Sequence, residues 1–266
     1  EPLLTFKLLP GMQPEEVARM KQAGALAAKY YPAGATTNAE DGFARLKEAF
    51  PLFHSLQAEG LVLCIHAEDP DAPVFLREEA FLPQVEQIIE NFPRLKIVVE
   101  HLSTRAAVQA LRGWPDRVAA TITAHHLAFS VEELLGGRLD HSLFCKPVVK
   151  SEDDRQALVE AAVSGEARFF FGSDSAPHSR EAKSAGAAGA FSAPVALPLL
   201  AGVFDEAGKS EKLEDFCSRL GAEFYGLPLN KGEIRLVTEK WTVPDEYGNL
   251  VPLCAGKTLP WRLRAQ

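Results

Sequence analysis

Short apolar runs recur along this chain, and several end in an ionisable side chain. Residues 25–31 read ALAAKYY, residues 61–66 LVLCIH, residues 95–101 LKIVVEH and residues 168–174 RFFFGSD. Lys29, His66, His101 and Asp174 therefore stand at or just past the ends of four apolar runs, 37, 35 and 73 residues apart. The last interval is close to twice the others, and a further apolar run, VAATIT at 118–123, falls inside it. None of these runs alternates polar with apolar residues, so they predict strands buried on both faces, as in a parallel sheet covered by helices. Residues 3–9 (LLTFKLL) read as one more such strand, which makes six.

The stretches between the runs have helical character. A helix opens at Pro14-Glu15-Glu16, and 41–59, 77–92, 130–135 and 150–165 follow with helical patterns. Strand alternating with helix predicts βαβ units. The fold expected is an α/β (β/α)8 barrel, with six of its strands in this chain and residues 1–266 as a single domain. Such a barrel places the C-terminal end of every strand on one rim, where the four ionisable residues would converge. Beyond residue 193 the sequence predicts an apolar helix (PVALPLLAGVF), another near 213–220, and an irregular Pro-rich tail.

Composition excludes several partners. The net charge is −8 with no basic run, which argues against nucleic acid or an anionic membrane. No apolar run approaches the ~18 residues of a membrane span, and no signal peptide is visible. Cys64, Cys145, Cys217 and Cys254 are scattered without a C-x-x-C pair. They read as reduced structural thiols of a cytoplasmic protein.

Taken singly, each strand-end residue has an ordinary explanation. A histidine after a strand is usually hydrogen-bonded in a core, a lysine there forms an ion pair, and an aspartate in Gly-Ser-Asp caps a turn. Four of them at one period point instead to chemistry. Imidazole nitrogen and carboxylate oxygen suit zinc, and a catalytic zinc keeps a position open. A lysine made neutral by burial can take up carbon dioxide, giving a carbamate with two oxygens able to bridge two metals. His125 and His126 follow the 118–123 run. On a continuing strand they point to opposite sides, so at most one faces the site, and structural roles are expected for both, as for His54 and His141.

The stretch GSDSAPHSREAK at 172–183 resembles the signature of the dihydroorotase family, zinc amidohydrolases of pyrimidine biosynthesis. Residues 28–32 (AKYYP) with ATTN at 35–38 are similar to the carboxylated-lysine strand and mobile loop of its single-function bacterial members. CIHAE, VVEHLST, ATITAHHL, FCKPVVK, FSAPVAL and FYGLPLN follow in the matching order.

The resemblance spans essentially the whole chain. It implies two Zn2+ ions bridged by carboxylated Lys29, with His66 and His101 on the second ion and Asp174 on the first. Asp174 would also be the general base and acid. His66, His178, Ala188 and Lys146, the last two through their backbone, would hold the substrate, and Thr36 and Thr37 would ride on a lid. The implied reaction is the reversible cyclisation of N-carbamoyl-L-aspartate to L-dihydroorotate, carried out by a cytoplasmic homodimer.

One family feature has no counterpart. The His-x-His pair of the first strand, and the arginine and asparagine that follow it, are not found, and none of the seven histidines forms His-x-His. At ~36 residues per strand-helix unit, this implies that ~70 N-terminal residues carrying two strands are missing. The chain as it stands is then expected to hold its first metal weakly and to turn over slowly or not at all. Two other readings stand beside it: a non-catalytic, dihydroorotase-like binding or scaffold protein, and a hydantoinase-like cyclic amidase.

Overall fold

The computed structural model describes residues 3–264. In chain order its main elements are β1 (Thr5–Lys7), α1 (Pro14–Gln22), β2 (Ala27–Tyr30), α2 (Phe50–Glu59), β3 (Val62–Ile65), α3 (Arg77–Asn91), β4 (Ile97–Val99), α4 (Arg105–Gly113) and β5 (Val118–Ile122). There follow α5 (Ala124–Ala128), α6 (Val131–Leu135), α7 (Glu152–Val163), β6 (Phe169–Phe171), α8 (Arg180–Ser184), α9 (Ala196–Glu206), α10 (Leu220–Tyr225), β7 (Arg235–Thr242) and β8 (Thr258–Arg264). Strands β1 to β6 form one sheet in the order of the sequence, and β7 and β8 form a separate antiparallel pair. No helix among the described residues is long and apolar enough to cross a membrane.

The chain divides into two compact units, one of residues 1–100 with 109–120 and the other of residues 101–108 with 121–266. In the first, β1 to β4 and the start of β5 pair in parallel, with Lys29 of β2 in register with Lys7 on one side and Cys64 on the other. The core behind this ladder is aromatic. Phe53 of α2 is fully buried and meets Tyr30 and Phe92 edge-on, at centroid distances of 5.6 Å each, while Phe50 meets Phe92 at 5.0 Å. Offset and edge-to-face arrangements of this kind satisfy the ring quadrupoles as well as burying area. Burial also pushes the Tyr30 hydroxyl well above the usual tyrosine range.

In the second unit α9 buries Leu200 and Phe204, and Phe204 packs on Phe216 at 5.4 Å. Phe170 of β6 lies 5.7 Å from Phe224 of α10. The helix starts follow the sequence. Ser151 caps α7 by accepting from the Asp154 N–H, and Glu152, Asp153 and Asp154 fill its first turn, where the helix dipole favours acids. Ser130 and Glu133 form a reciprocal capping box on α6.

Four expectations are corrected. Strand β1 is not buried on both faces: Thr5 is exposed and Phe6 and Lys7 are half-buried, because among the described residues β1 pairs with β2 alone. The helical pattern at 41–59 yields a loop and a short 3-10 turn before α2 begins at Phe50. The tail is not irregular, since β7 and β8 pair across 15 intervening residues, too far apart for a local turn signal to announce. Finally, His125 and His126 lie on the short helix α5 rather than on a continued strand, and both are buried.

Phe53→Ala removes the ring that touches Tyr30, Phe50 and Phe92, and should lower unfolding stability by about 3–5 kcal/mol. Urea unfolding followed by circular dichroism measures it.

Candidate active site

Within the first unit, the ladder pairs Lys29 with Cys64, two residues before His66. The His66 N–H donates to the Tyr30 carbonyl at 3.1 Å, one step past the Tyr30–Ile65 register pair. Tyr31 reaches both: its ring lies 5.4 Å from the Lys29 Nζ and 5.9 Å from the His66 ring. His66 is buried, and its Nε2 lies 3.0 Å from a carboxylate oxygen of Glu68, which is itself buried. With Nε2–H donated to that carboxylate, Nδ1 is the acceptor nitrogen of the ring. Histidines that bind metals are oriented in this way, their second ring nitrogen held by a carboxylate or carbonyl. Glu68 was not singled out from the sequence, although its place two residues after His66, in CIHAE, is the signal that could have found it.

The loop with Thr36 and Thr37 is tied to the same unit. The Lys7 ammonium donates to the Asn38 carbonyl at 2.9 Å and to the Asp41 carboxylate, which that bond holds below the usual carboxylate range. Thr36 is half-buried and Thr37 exposed.

Within the second unit, His101 and Asp174 share an unusual backbone. Their φ angles are +48° and +39°, in the left-handed region that residues with a Cβ seldom adopt. Strain of this kind persists where surrounding structure over-determines the backbone, and it concentrates at functional sites. For His101 the determinant is visible, because its N–H donates to the Thr121 hydroxyl at 2.7 Å. Thr121 also packs on Gly172, where an added Cβ would stand 2.6 Å from the Thr121 Cβ. Gly172 donates its N–H to the Ile122 carbonyl at 3.3 Å, and the chain turns there toward the exposed Asp174. His101 is buried.

His178 and Ala188 meet: the His178 Nε2 donates to the Ala188 carbonyl at 3.1 Å. Gly189 permits it, since a Cβ at that residue would fall 2.7 Å from the His178 Nε2. Lys183 underpins the same loop. Its ammonium donates to the carbonyls of Phe144, Ala187 and Gly189 at 2.9, 2.9 and 2.7 Å, fastening the segment before Lys146 to the one carrying Ala188. Lys183 was not singled out from the sequence, although it ends the GSDSAPHSREAK stretch.

Comparisons with known proteins follow the same lines. The amidohydrolase family model matches residues 11–236. A dihydroorotase of Delftia acidovorans is 45% identical over 272 residues, covering 99% of this chain and 79% of its own length. The chain belongs to the dihydroorotase family of amidohydrolases. Among solved structures, dihydroorotase from Saccharomyces cerevisiae in complex with 5-fluoroorotic acid superposes with a TM-score of 0.90 at 34% identity, covering 98% of this chain and 80% of that one. L-hydantoinase from Arthrobacter aurescens gives 0.82 at 20% identity over 98% and 67%. That likeness shows the shared fold alone. The fold class is therefore that of the (β/α)8 amidohydrolases, six of whose strands are seen among the described residues.

In this dihydroorotase-family chain, burial pushes the Lys183 ammonium down to about 8 from its ordinary 10.5. Between those values the unfolded chain binds more protons than the folded one, so stability rises as pH climbs through that window. Unfolding free energy measured from about pH 8 to 10.5 should increase in the native chain and run flatter in Lys183→Met.

Proposed function

We propose that this chain carries the dihydroorotase reaction, the reversible, metal-dependent closure of N-carbamoyl-L-aspartate to L-dihydroorotate with loss of water. The single observation carrying this is the end-to-end similarity to dihydroorotases, 45% identity over 99% of the chain, with GSDSAPH intact. A non-catalytic relative has no need of Lys29, His66, His101, Asp174 and His178 together. The hydantoinase-like alternative is disfavoured, because its solved examples are alike in fold but distant in sequence.

The residues proposed to hold two Zn2+ ions are Lys29, as its carbamate, His66, His101 and Asp174. The donor set fits the second ion, with two imidazoles and an amine that can become a carbamate, and His66 already oriented by Glu68; for the first ion the chain offers the Asp174 carboxylate but no His-x-His pair. When bound, the metal pair supplies Lewis acidity at the amide carbonyl.

The chain's own residues do the rest. Asp174, exposed past the end of β6, moves a proton between the ring nitrogen and the site as base in one direction and acid in the other. His178, the Ala188 backbone and Lys146 engage the substrate carboxylate and ring, and Lys183 holds their segments in place. Thr36 and Thr37 close over the substrate from the Lys7-tethered loop. A homodimer in the cytoplasm is proposed with this reading.

Three measurements test it. With zinc added, the chain should bind N-carbamoyl-L-aspartate and form L-dihydroorotate only slowly, since it has no His-x-His pair, while a 5-substituted hydantoin is left unchanged; hydantoin turnover in place of dihydroorotate would refute the reading. Asp174→Asn should lower kcat by about 10²–10⁴-fold with substrate still bound, the loss typical of a removed general acid-base group. Glu68→Gln should weaken metal binding by about 10–100-fold, read by metal analysis after competition with a chelator.

A further inference from the structure

A second cluster of metal-type donors lies in the second unit, outside the residues assigned above. His125 and His126 of α5 and Cys145 present ligand atoms within 4.8 Å of one another, and all three side chains are buried. The two imidazole rings lie 4.7 Å apart at 41°.

His125 is the residue that needs explaining. It is fully buried, and among the described residues neither ring nitrogen has a hydrogen-bond partner. A neutral imidazole carries one donor and one acceptor, and leaving both unmet in an interior is costly. Native proteins rarely tolerate such orphans, and where one occurs an ion or water is a standard occupant. Burial and the neighbouring His126 both hold the His125 imidazole well below the usual histidine range, so it stands as a neutral ligand.

The two other members are arranged so that a cation can enter without stranding them. His126 Nδ1 lies 2.9 Å from the Thr123 hydroxyl and Nε2 3.0 Å from the Pro147 carbonyl. A carbonyl only accepts, so Nε2 carries the proton and the Thr123 hydroxyl donates to Nδ1. A hydroxyl can also accept. The imidazole proton can therefore pass to Nδ1, keep its Thr123 bond, and leave Nε2 as a ligand oriented by a second contact. The Cys145 thiol donates to the same Pro147 carbonyl at 3.2 Å. On binding it would lose its proton as thiolate, and the Pro147 oxygen would stand beside the ion.

We propose that His125, His126 and Cys145 form a second, buried metal site that takes a thiophilic d10 cation. Two imidazoles and one thiolate are the donor set chosen by Cu+ and Zn2+, and hard cations such as Mg2+ are disfavoured. Charge selects between the two. The ligand set carries one negative charge in a fully buried setting, so Cu+ gives a neutral centre while Zn2+ leaves an uncompensated positive charge. Cu+ is the favoured occupant, and its binding releases one proton, from Cys145.

The test is an anaerobic titration of the 266-residue chain with Cu+ against a chromogenic chelator. The native chain should withhold one equivalent and release one proton as it does so. Cys145→Ser and His125→Leu should each weaken retention by on the order of 100-fold or more, beyond the loss seen for an outer partner. Because the lysine, histidine and aspartate proposed for the zinc pair include no sulfur, copper K-edge absorption of the unsubstituted chain separates the sites. One sulfur with two nitrogens in the copper shell supports the assignment even if a variant fails to fold. A shell of nitrogen and oxygen only, retention that survives Cys145→Ser, or no retention overturns it. If Zn2+ competes Cu+ out, and a thiolate-to-metal charge-transfer band appears with Co2+, the site stands and the choice of Cu+ is overturned.

Discussion

Parallel hydrogen bonding between strand ends is the constraint on which the rest of this molecule rests. In a parallel ladder all strands run the same way, so residues that follow them gather at one edge of the sheet. The bond from the His66 N–H to the Tyr30 carbonyl shows the effect in the first unit. It carries the pairing one residue past β3, and the Tyr31 ring lies near both the imidazole and the Lys29 ammonium. A shift of one residue would turn Lys29 to the opposite face of its strand.

The second unit meets the same need with local devices. His101 and Asp174 both take a left-handed backbone, and small residues nearby make this possible. Gly172 lets Thr121 approach, and Thr121 in turn holds the His101 N–H. Gly189 gives room for the His178 bond to Ala188, and the Lys183 ammonium gathers three carbonyls that would otherwise leave the loop loose. The depressed Lys183 ammonium reflects this choice: a buried cation held by carbonyl dipoles rather than by a carboxylate.

Much of the fold was legible because burial imposes composition. VLCI, IVV and VAATI can be little else but buried strands, and all three lie where their apolar runs predict. Ser130 and Ser151 announced their helices through capping chemistry that is local by nature. Strand β1 falls inside the apolar run at 3–9, but its burial did not follow from that pattern, and the β7–β8 pair was less readable because it depends on pairing across a long interval.

The sequence by itself determined the family and the parallel α/β organisation, and it named the strand-end residues proposed to carry the chemistry, since residue type and strand-end position follow from covalent order. Tertiary structure alone decided how those residues are held. Thr121 under His101 and Lys183 across three carbonyls are contacts whose partners are chosen by packing, not by spacing. The same holds for His125, His126 and Cys145. Cys145 follows His125 and His126 by 20 and 19 residues, and only the folding of α5 against the segment around Pro147 brings imidazole and sulfur within one ion's reach.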